Sequence, residues 1–142
     1  MVRIEKATQT DYDNIVDNAI EEALKMYPPM DISTNDLCCA GWHNDTLLAV
    51  AGFQVYWPGV VYTWISVSKD SLAMPIETVR AMNRMLAIVE KDLEIVRLQC
   101  TVRTDFKKAI ELVEHLQFKR EGTMIKYCPD GCNAYMYGKI IK

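Results

Sequence analysis

Three β-rich runs in the middle of the chain constrain its fold more than any other feature. They comprise residues 37–42, 46–56 and 60–67, and the short turn sequences His43-Asn44-Asp45 and Trp57-Pro58-Gly59 separate them. Branched and aromatic residues favour strands, and turns this short join neighbouring strands that run in opposite directions. The sequence therefore predicts an antiparallel meander of three strands.

Apolar residues at helical spacing predict three helices around this meander. The first is expected to have Thr10 as its N-cap and to stop at Pro28-Pro29, because proline cannot continue a helix. Pro75 suits the first position of the second helix, and Asp105 is expected to open the third. The inner face predicted for the second helix comprises Ile76, Val79, Met82, Met85, Leu86, Val89 and Leu93.

Four further β-rich runs complete the predicted order of elements. They cover residues 2–7, 95–102, 118–125 and 133–140. Strands that alternate with helices in this mixed order predict an α/β (α+β) fold, with one mainly antiparallel sheet and helices on both of its faces. At 142 residues, the chain is expected to form a single domain over 1–142.

The charge and hydropathy of the chain exclude two classes of partner. A formal net charge of −3 leaves no broad positive surface for nucleic acid. No apolar run approaches the roughly 18 residues that cross a bilayer, and the N-terminus has no apolar signal core. We therefore expect a cytoplasmic protein that binds neither nucleic acid nor membranes.

Five cysteines, odd in number and irregular in spacing, argue against a disulfide framework. Cys38, Cys39 and Cys100 belong to apolar runs and are predicted to be core residues. Cys128 and Cys132 flank a turn sequence, an arrangement that fits core packing, half of a metal site or a disulfide across a hairpin. We favour core packing and expect no metal, since no second Cys/His pair lies nearby in the sequence.

A long stretch without glycine, between Gly59 and Gly122, bears on ligand binding. A turn that holds a phosphate needs residues that tolerate positive φ and let the backbone approach the ligand, which glycine does at least cost. The connector before the second helix, residues 68–74, also contains Asp70, whose charge would oppose a phosphate. A phosphate loop at this point is therefore predicted to be weak or missing.

The order of elements resembles that of the GNAT superfamily of N-acetyltransferases over nearly the whole chain. The most specific segment is 109–122, where Phe118 and Glu121-Gly122 match the family's pattern and Gln117 stands in place of its glycine. Residues 130–138 also resemble the closing hairpin of that family. The resemblance implies a GNAT-like fold and, in an active member, transfer of an acetyl group from acetyl-CoA to an amine.

Two short segments resemble a narrower group, the small GNAT-like proteins of short-tailed phages, of the internal virion protein type. They are residues 47–52 and 62–66, the second of which carries Trp64. Proteins of this group have about the same length and also lack the glycine loop. This resemblance implies a virion-associated or accessory protein in the host cytoplasm that acts through contacts with a phage or host protein.

The GNAT resemblance also assigns candidate cofactor-binding residues. An active member binds the diphosphate of acetyl-CoA on backbone N–H groups before the second helix, and the matching stretch here is 67–75. The candidates in this stretch are Val67, Ser68, Lys69 and Ser71. The tyrosine that protonates the departing thiolate in many members falls at Val113, which carries no such proton.

Candidate catalytic residues are few. Residues 60–66 contain no Asp, Glu or His that could act as a general base. The chemically able side chains near this strand and in the last one are Tyr62, Ser66 and Tyr135. The two histidines, His43 in a turn and His115 on a helix, are expected to be exposed, and Trp57 is expected to fold back onto the sheet.

These observations leave two functions open. We favour a non-catalytic or degenerate GNAT-like protein that acts through protein contacts and needs no cofactor, because the phosphate loop, the tyrosine and a general base are all lacking. The alternative is an acetyl-CoA-dependent N-acetyltransferase with a divergent diphosphate loop. The sequence leaves open whether the protein is an enzyme.

Overall fold

The computed structural model describes residues 2–21, 25–27, 30–32 and 37–141. Within these ranges, seven strands and three α-helices carry the fold. In chain order they are β1 Val2–Lys6, α1 Gln9–Asp17, β2 Cys38–His43, β3 Thr46–Trp57, β4 Val60–Val67, a 3-10 helix Lys69–Ala73, α2 Pro75–Asp92, β5 Arg97–Arg103, α3 Lys107–His115, β6 Lys119–Met124 and β7 Ala134–Ile140. None of the helices described is long and apolar enough to cross a membrane.

The seven strands form one mixed sheet in the order β1-β2-β3-β4-β5-β7-β6. Strands β4 and β5 are parallel, while β1–β2, β2–β3, β5–β7 and β6–β7 are antiparallel pairs. Two residues join β3 to β4, and Gly59 in this turn has a φ of 91°, a conformation that glycine adopts at least cost. The predicted mainly antiparallel α/β sheet and its central meander are confirmed.

The chain folds as two compact units. The first comprises Met1–Phe53 and Ile65–Asp92. In it, the buried side of α2 packs on β1 and β2, and Val2, Leu48 and Ala81 belong to one core cluster. This packing is close, because a Cβ atom built on Gly41 of β2 would lie 3.0 Å from the Ala81 Cβ.

The second unit comprises Gln54–Trp64 and Leu93–Lys142. Its core is built on the β5–β7–β6 part of the sheet, where Tyr137 is fully buried. The Arg97 guanidinium on β5 donates to the Glu121 carboxylate on β6, with Nη1 2.9 Å from Oε2. This ion pair passes over Gly138 of β7, since a Cβ atom there would lie 2.7 Å from the Glu121 carboxylate.

The start and end of α1 differ from the prediction. Its N-cap is Thr8, two residues earlier than Thr10. The Thr8 Oγ1 accepts from the Asp11 N–H at 3.1 Å, and the Asp11 carboxylate accepts from the Thr8 N–H at 3.0 Å. This reciprocal capping box satisfies two helix-end donors at once. The helix ends at Asp17, and the predicted stop at Pro28-Pro29 lies outside the described residues.

The predicted inner face of α2 is wrong at its first residue. Ile76 is 63% exposed, whereas the buried side of the helix includes Thr78 and Met82. Residues two apart on a helix point in nearly opposite directions, so Ile76 cannot share the face of Thr78. The first helical residue itself, Pro75, is as predicted.

Three further predictions about single residues are wrong. The N-cap of α3 is Phe106, because the Asp105 carboxylate instead accepts a hydrogen bond from the Arg103 Nε at 3.0 Å. His43 belongs to β2 rather than to a turn, and its Nδ1 is buried without a hydrogen-bond partner among the described residues. Trp57 is 61% exposed at the end of β3 instead of folding back.

Candidate functional site

A cleft of about 920 Å³ lies at the carboxyl end of β4, wholly within the first unit. Its walls are the last turn of α1, the turn between β2 and β3, and the connector 68–74. This connector is not the plain link that the sequence suggests, because it contains the 3-10 helix Lys69–Ala73. We call this feature the β4-end cleft, since ligands of open α/β sheets bind outside the carboxyl ends of parallel strands.

The end of α1 is tied to the connector by several hydrogen bonds. The Lys69 N–H donates to the Asn18 carbonyl at 2.8 Å, and the Asn18 side-chain amide donates to the Asp70 carboxylate at 3.1 Å. One step further, the Ile20 N–H donates to the Val67 carbonyl at 2.9 Å. These bonds shape one wall of the β4-end cleft and direct the Asp70 charge toward α1.

The two serines among the candidate cofactor-binding residues are buried and hydrogen-bonded within the fold. The Ser68 N–H donates to Leu48 O at 2.9 Å, and its hydroxyl donates to Leu47 O at 2.8 Å. Ser71 donates its N–H and its hydroxyl to Ser68 O at 3.1 and 2.7 Å, and Met74 donates its N–H to Ser71 O at 2.9 Å. The polar hydrogens of both serines therefore hold the connector in shape.

The other two candidates are Val67, the last residue of β4, and Lys69, the first residue of the 3-10 helix. Val67 is half-buried, and Lys69 is exposed and lines the β4-end cleft. Asp17, Asp45 and Asp70 line it as well, so the described lining holds three carboxylates and one ammonium group. The three carboxylates would repel a phosphate, and the Lys69 ammonium group would attract it.

The amino end of α2 supplies further anion-binding groups in the first unit. The helix begins at Pro75, so the amides of Ile76 and Glu77 have no carbonyl one turn back inside the helix. The Thr78 N–H and hydroxyl both donate to Met74 O, at 3.0 and 2.7 Å. The partial positive charge of an 18-residue helix is concentrated on the two amides of its first turn.

Tyr62 is a candidate catalytic residue in the second unit. The β4–β5 pairs run from Val60–Arg97 to Tyr62–Gln99, and the Tyr62 hydroxyl lies 3.0 Å from the Thr101 hydroxyl. Burial raises the pKa of Tyr62 to about 12, while the hydrogen bond between the Tyr62 and Thr101 hydroxyls opposes that rise. The Tyr62 phenol therefore keeps its proton at neutral pH.

The remaining catalytic candidates occupy different surroundings. Ser66 is buried in the first unit. Tyr135, in the second unit, has the Arg120 guanidinium 3.7 Å from its ring centroid, a cation–π contact. Its neighbour Tyr137 donates its hydroxyl to the Glu114 carboxylate at 2.7 Å. This Glu114–Tyr137 hydrogen bond joins α3 to β7 and was not predicted from the sequence.

Some residues of these sites carry no sequence signal. Thr101 and Asn18 look like an ordinary strand residue and an ordinary helix-end residue, and their partners Tyr62 and Asp70 are 39 and 52 positions away. The described residues contain no group of three or more His, Cys, Asp or Glu side chains that could hold a metal ion.

No protein-family model and no curated protein sequence matches the chain. The ribosomal-protein-S18-alanine N-acetyltransferase from Escherichia coli superposes with a TM-score of 0.77 at 19% identity, over 100% of this chain and 95% of that one. The GNAT-family acetyltransferase from Bacillus anthracis gives 0.74 at 15% identity, over 98% and 94%. The yncA structure from Salmonella typhimurium, which holds its cofactor acetyl-CoA, gives 0.72 at 10% identity, over 99% and 94%.

These similarities extend over the whole of the chain and identify its architecture. The chain has the mixed α/β fold of GNAT acetyltransferases. The fold that the sequence resemblance implied is therefore confirmed. The narrower resemblance to phage proteins stays a prediction.

Proposed function

We propose that this chain is an acetyl-CoA-dependent N-acetyltransferase with a divergent diphosphate site. The observation that supports this proposal best is the full-length GNAT fold, in which α2 follows the carboxyl end of β4 after the connector 68–74. Its structural neighbours are acetyltransferases, and one of them holds acetyl-CoA. This proposal reverses the preference that the sequence alone favours.

Among the described residues, the first turn of α2 fits an anionic group. The amides of Ile76 and Glu77 would hold the diphosphate, and the Lys69 side chain would add a positive charge. The connector adds little, because the polar hydrogens of Ser68 and Ser71 are already donated within it. We therefore expect binding that is weaker than a glycine-rich loop would give.

When bound, acetyl-CoA would supply a thioester, and attack of an amine on its carbonyl carbon would form a C–N bond, break the C–S bond and release the amine proton to solvent. Tyr62 holds a proton on its Oη at neutral pH, and Thr101 orients that hydroxyl. A thiol has an ordinary pKa of about 8.5, well below that of this phenol. The Tyr62 phenol, in the second unit, therefore keeps its proton at a pH at which a free thiol ionises.

The first prediction concerns Lys69 and is tested by calorimetry with acetyl-CoA. Lys69→Glu should weaken binding by roughly fivefold or more, because it adds a negative charge beside the diphosphate site. Lys91→Glu is the matched control: Lys91 is exposed in the last turn of the same helix, so its reversal should leave the dissociation constant unchanged.

Turnover is measured in parallel as thiol release from acetyl-CoA in the presence of peptides with free α-amino groups or lysine side chains. The proposal predicts release that depends on the amine and is reduced by Lys69→Glu. Absence of both binding heat and thermal stabilisation at millimolar acetyl-CoA would contradict the proposal, since a ligand at 100-fold excess over its dissociation constant stabilises by about 2.7 kcal/mol.

A second candidate function has a specific observation in its favour. The Trp57 side chain at the end of β3 is 61% exposed and lies beside Tyr56, with ring centroids 6.0 Å apart. Exposed aromatic residues often anchor protein partners. A degenerate protein that binds a phage or host protein through this hairpin, as the phage resemblance implies, would show no acetyl-CoA binding. The calorimetric experiment therefore separates the two functions.

A further inference from the structure

The turn between β6 and β7 brings two cysteines into register. The Cys128 N–H donates to the Cys132 carbonyl at 3.0 Å, and the Gly131 N–H donates to the Cys128 carbonyl at 2.8 Å. In a regular antiparallel pair that exchanges both backbone hydrogen bonds, facing Cα atoms lie about 5.5 Å apart, and this turn makes one of those two bonds. That separation falls inside the range of about 4.4–6.8 Å that a disulfide requires.

Both sulfur atoms lie near the same backbone oxygen. The Cys132 Sγ lies 3.3 Å from the Asn133 carbonyl oxygen, and the Cys128 Sγ lies 4.0 Å from that same oxygen. Cys128 is buried and Cys132 is partly exposed. A reagent in solution therefore has access to the Cys132 thiol, whereas the Cys128 thiol is buried next to it.

The other three cysteines are in different situations. Cys38 and Cys39 are consecutive residues of β2, so their side chains point to opposite faces of the sheet. Cys100 is buried in β5, and burial raises its pKa to about 12. Burial also raises the pKa of Cys38 to about 11. These thiols are protonated at neutral pH and poorly suited to exchange.

We propose that Cys128 and Cys132 form a redox modification site that closes reversibly into an intramolecular disulfide. The oxidant is a low-molecular-weight disulfide. The Cys132 thiolate attacks one of its sulfurs and releases one small thiol, which leaves a mixed disulfide on Cys132. The Cys128 thiolate then attacks the Cys132 sulfur and releases the second small thiol. The two cysteines lose two electrons and two protons, which the reagent gains.

The turn is already held in the geometry that this closure needs. Asp130, between the two cysteines, accepts two hydrogen bonds from the buried Arg103 guanidinium, at 3.0 and 2.8 Å. The same carboxylate accepts from the Cys132 N–H at 3.1 Å. Because the reduced turn is pre-ordered, closure requires little backbone movement. This inference does not depend on the acetyltransferase proposal.

The test is a redox titration of the full chain in mixtures of reduced and oxidised glutathione. Free thiols are alkylated at each point and the intact mass is measured. The expected oxidised form has lost two hydrogen atoms, carries three alkylated thiols, and gives a Cys128–Cys132 linked peptide after proteolysis. It should melt about 5 °C above the reduced form, because the crosslink restricts the unfolded chain.

Three variants make the result specific. Cys100→Ser should still form the linked peptide. Cys132→Ser and Cys128→Ser should not, and the Cys128→Ser variant should instead retain one glutathione on Cys132. Five alkylated thiols in the wild type across the whole titration would overturn the proposal, as would a disulfide that maps to another pair. Cys132 is partly exposed, so its replacement by serine disturbs the core less. If Cys128→Ser fails to fold, Cys132→Ser therefore still provides the test.

Discussion

Arg103 shows how one side chain organises several segments of the second unit. It is a charged residue that is only 8% exposed, and its guanidinium donates to both Asp105 and Asp130. The first carboxylate lies at the entry to α3 and the second in the turn between β6 and β7. A buried guanidinium needs partners on its donors, so the position of both segments follows from one residue.

The pKa of Asp130 leads to a prediction at this scale. The hydrogen bonds from Arg103 lower this pKa to about 2, below the ordinary value of about 4. A carboxylate with a lowered folded-state pKa stabilises the fold above about pH 4, and this stabilisation is lost as the pH falls toward about 2. Asp130→Asn should therefore lower the melting temperature at pH 7.

The measurement is the melting temperature of the wild type and Asp130→Asn between about pH 7 and about pH 2. The difference in melting temperature between the wild type and Asp130→Asn should be roughly constant from pH 7 to pH 5. It should become smaller below pH 4, as Asp130 of the wild type is protonated and its ion pair with Arg103 is lost. A gap that stays constant down to pH 2 would mean that the Asp130 charge contributes nothing.

At the scale of elements, the hydrogen bonds at its amino end determine where α1 begins. Thr8 and Thr10 are both followed three residues later by an aspartate, Asp11 and Asp13, so the sequence alone offers two N-caps. The structure chooses Thr8, the second residue after β1 ends at Lys6. The early start follows from the strand, because Ala7 donates its N–H to the Cys38 carbonyl and is thereby held beside β2.

Two alanine substitutions test this choice. Thr8→Ala should reduce the free energy of unfolding by about 1 kcal/mol, since it removes the side-chain acceptor of the capping box. Thr10→Ala is the matched control: Thr10 is an exposed residue inside the first turn of α1, and alanine is a better helix former there. Denaturant unfolding measures both. Equal losses from the two variants would contradict the assignment of Thr8.

On the scale of the whole molecule, charge limits what the protein binds. The chain has a formal net charge of −3, and the lining of the β4-end cleft holds three carboxylates and one ammonium group. Acetyl-CoA is itself an anion, so long-range electrostatics oppose its approach. If the protein binds acetyl-CoA as proposed, the affinity would then come mainly from short-range hydrogen bonds at the amino end of α2.

The repulsion between the acidic protein and anionic acetyl-CoA predicts that salt does not weaken the binding of acetyl-CoA. Raising the ionic strength from about 0.01 M to about 0.15 M shortens the Debye length from about 30 Å to about 8 Å, which screens the repulsion. The dissociation constant of acetyl-CoA, measured by calorimetry, should stay constant or fall. A several-fold rise would instead indicate a site dominated by positive side chains.

Local chemistry made much of this fold predictable from the sequence. Strand β4 has the bounds that its run of branched and aromatic residues predicts, and α2 begins at Pro75 because a first-turn proline needs no N–H partner. The turn at Gly59 depends on one residue's freedom to adopt a positive φ. Each of these features is decided by neighbours in the chain, so the sequence alone was enough to determine it.

The tertiary structure alone decided which distant groups meet. The parallel pairing of β4 with β5 brings the Tyr62 hydroxyl next to the Thr101 hydroxyl. The packing of the end of α1 against the connector lets the Asn18 side chain donate a hydrogen bond to Asp70. The same packing buries Ser68 and uses its hydrogen-bond donors within the protein. A serine can bind an anion, but this one stabilises the fold instead. Such outcomes depend on through-space contacts and burial, which residue type and spacing along the chain do not encode.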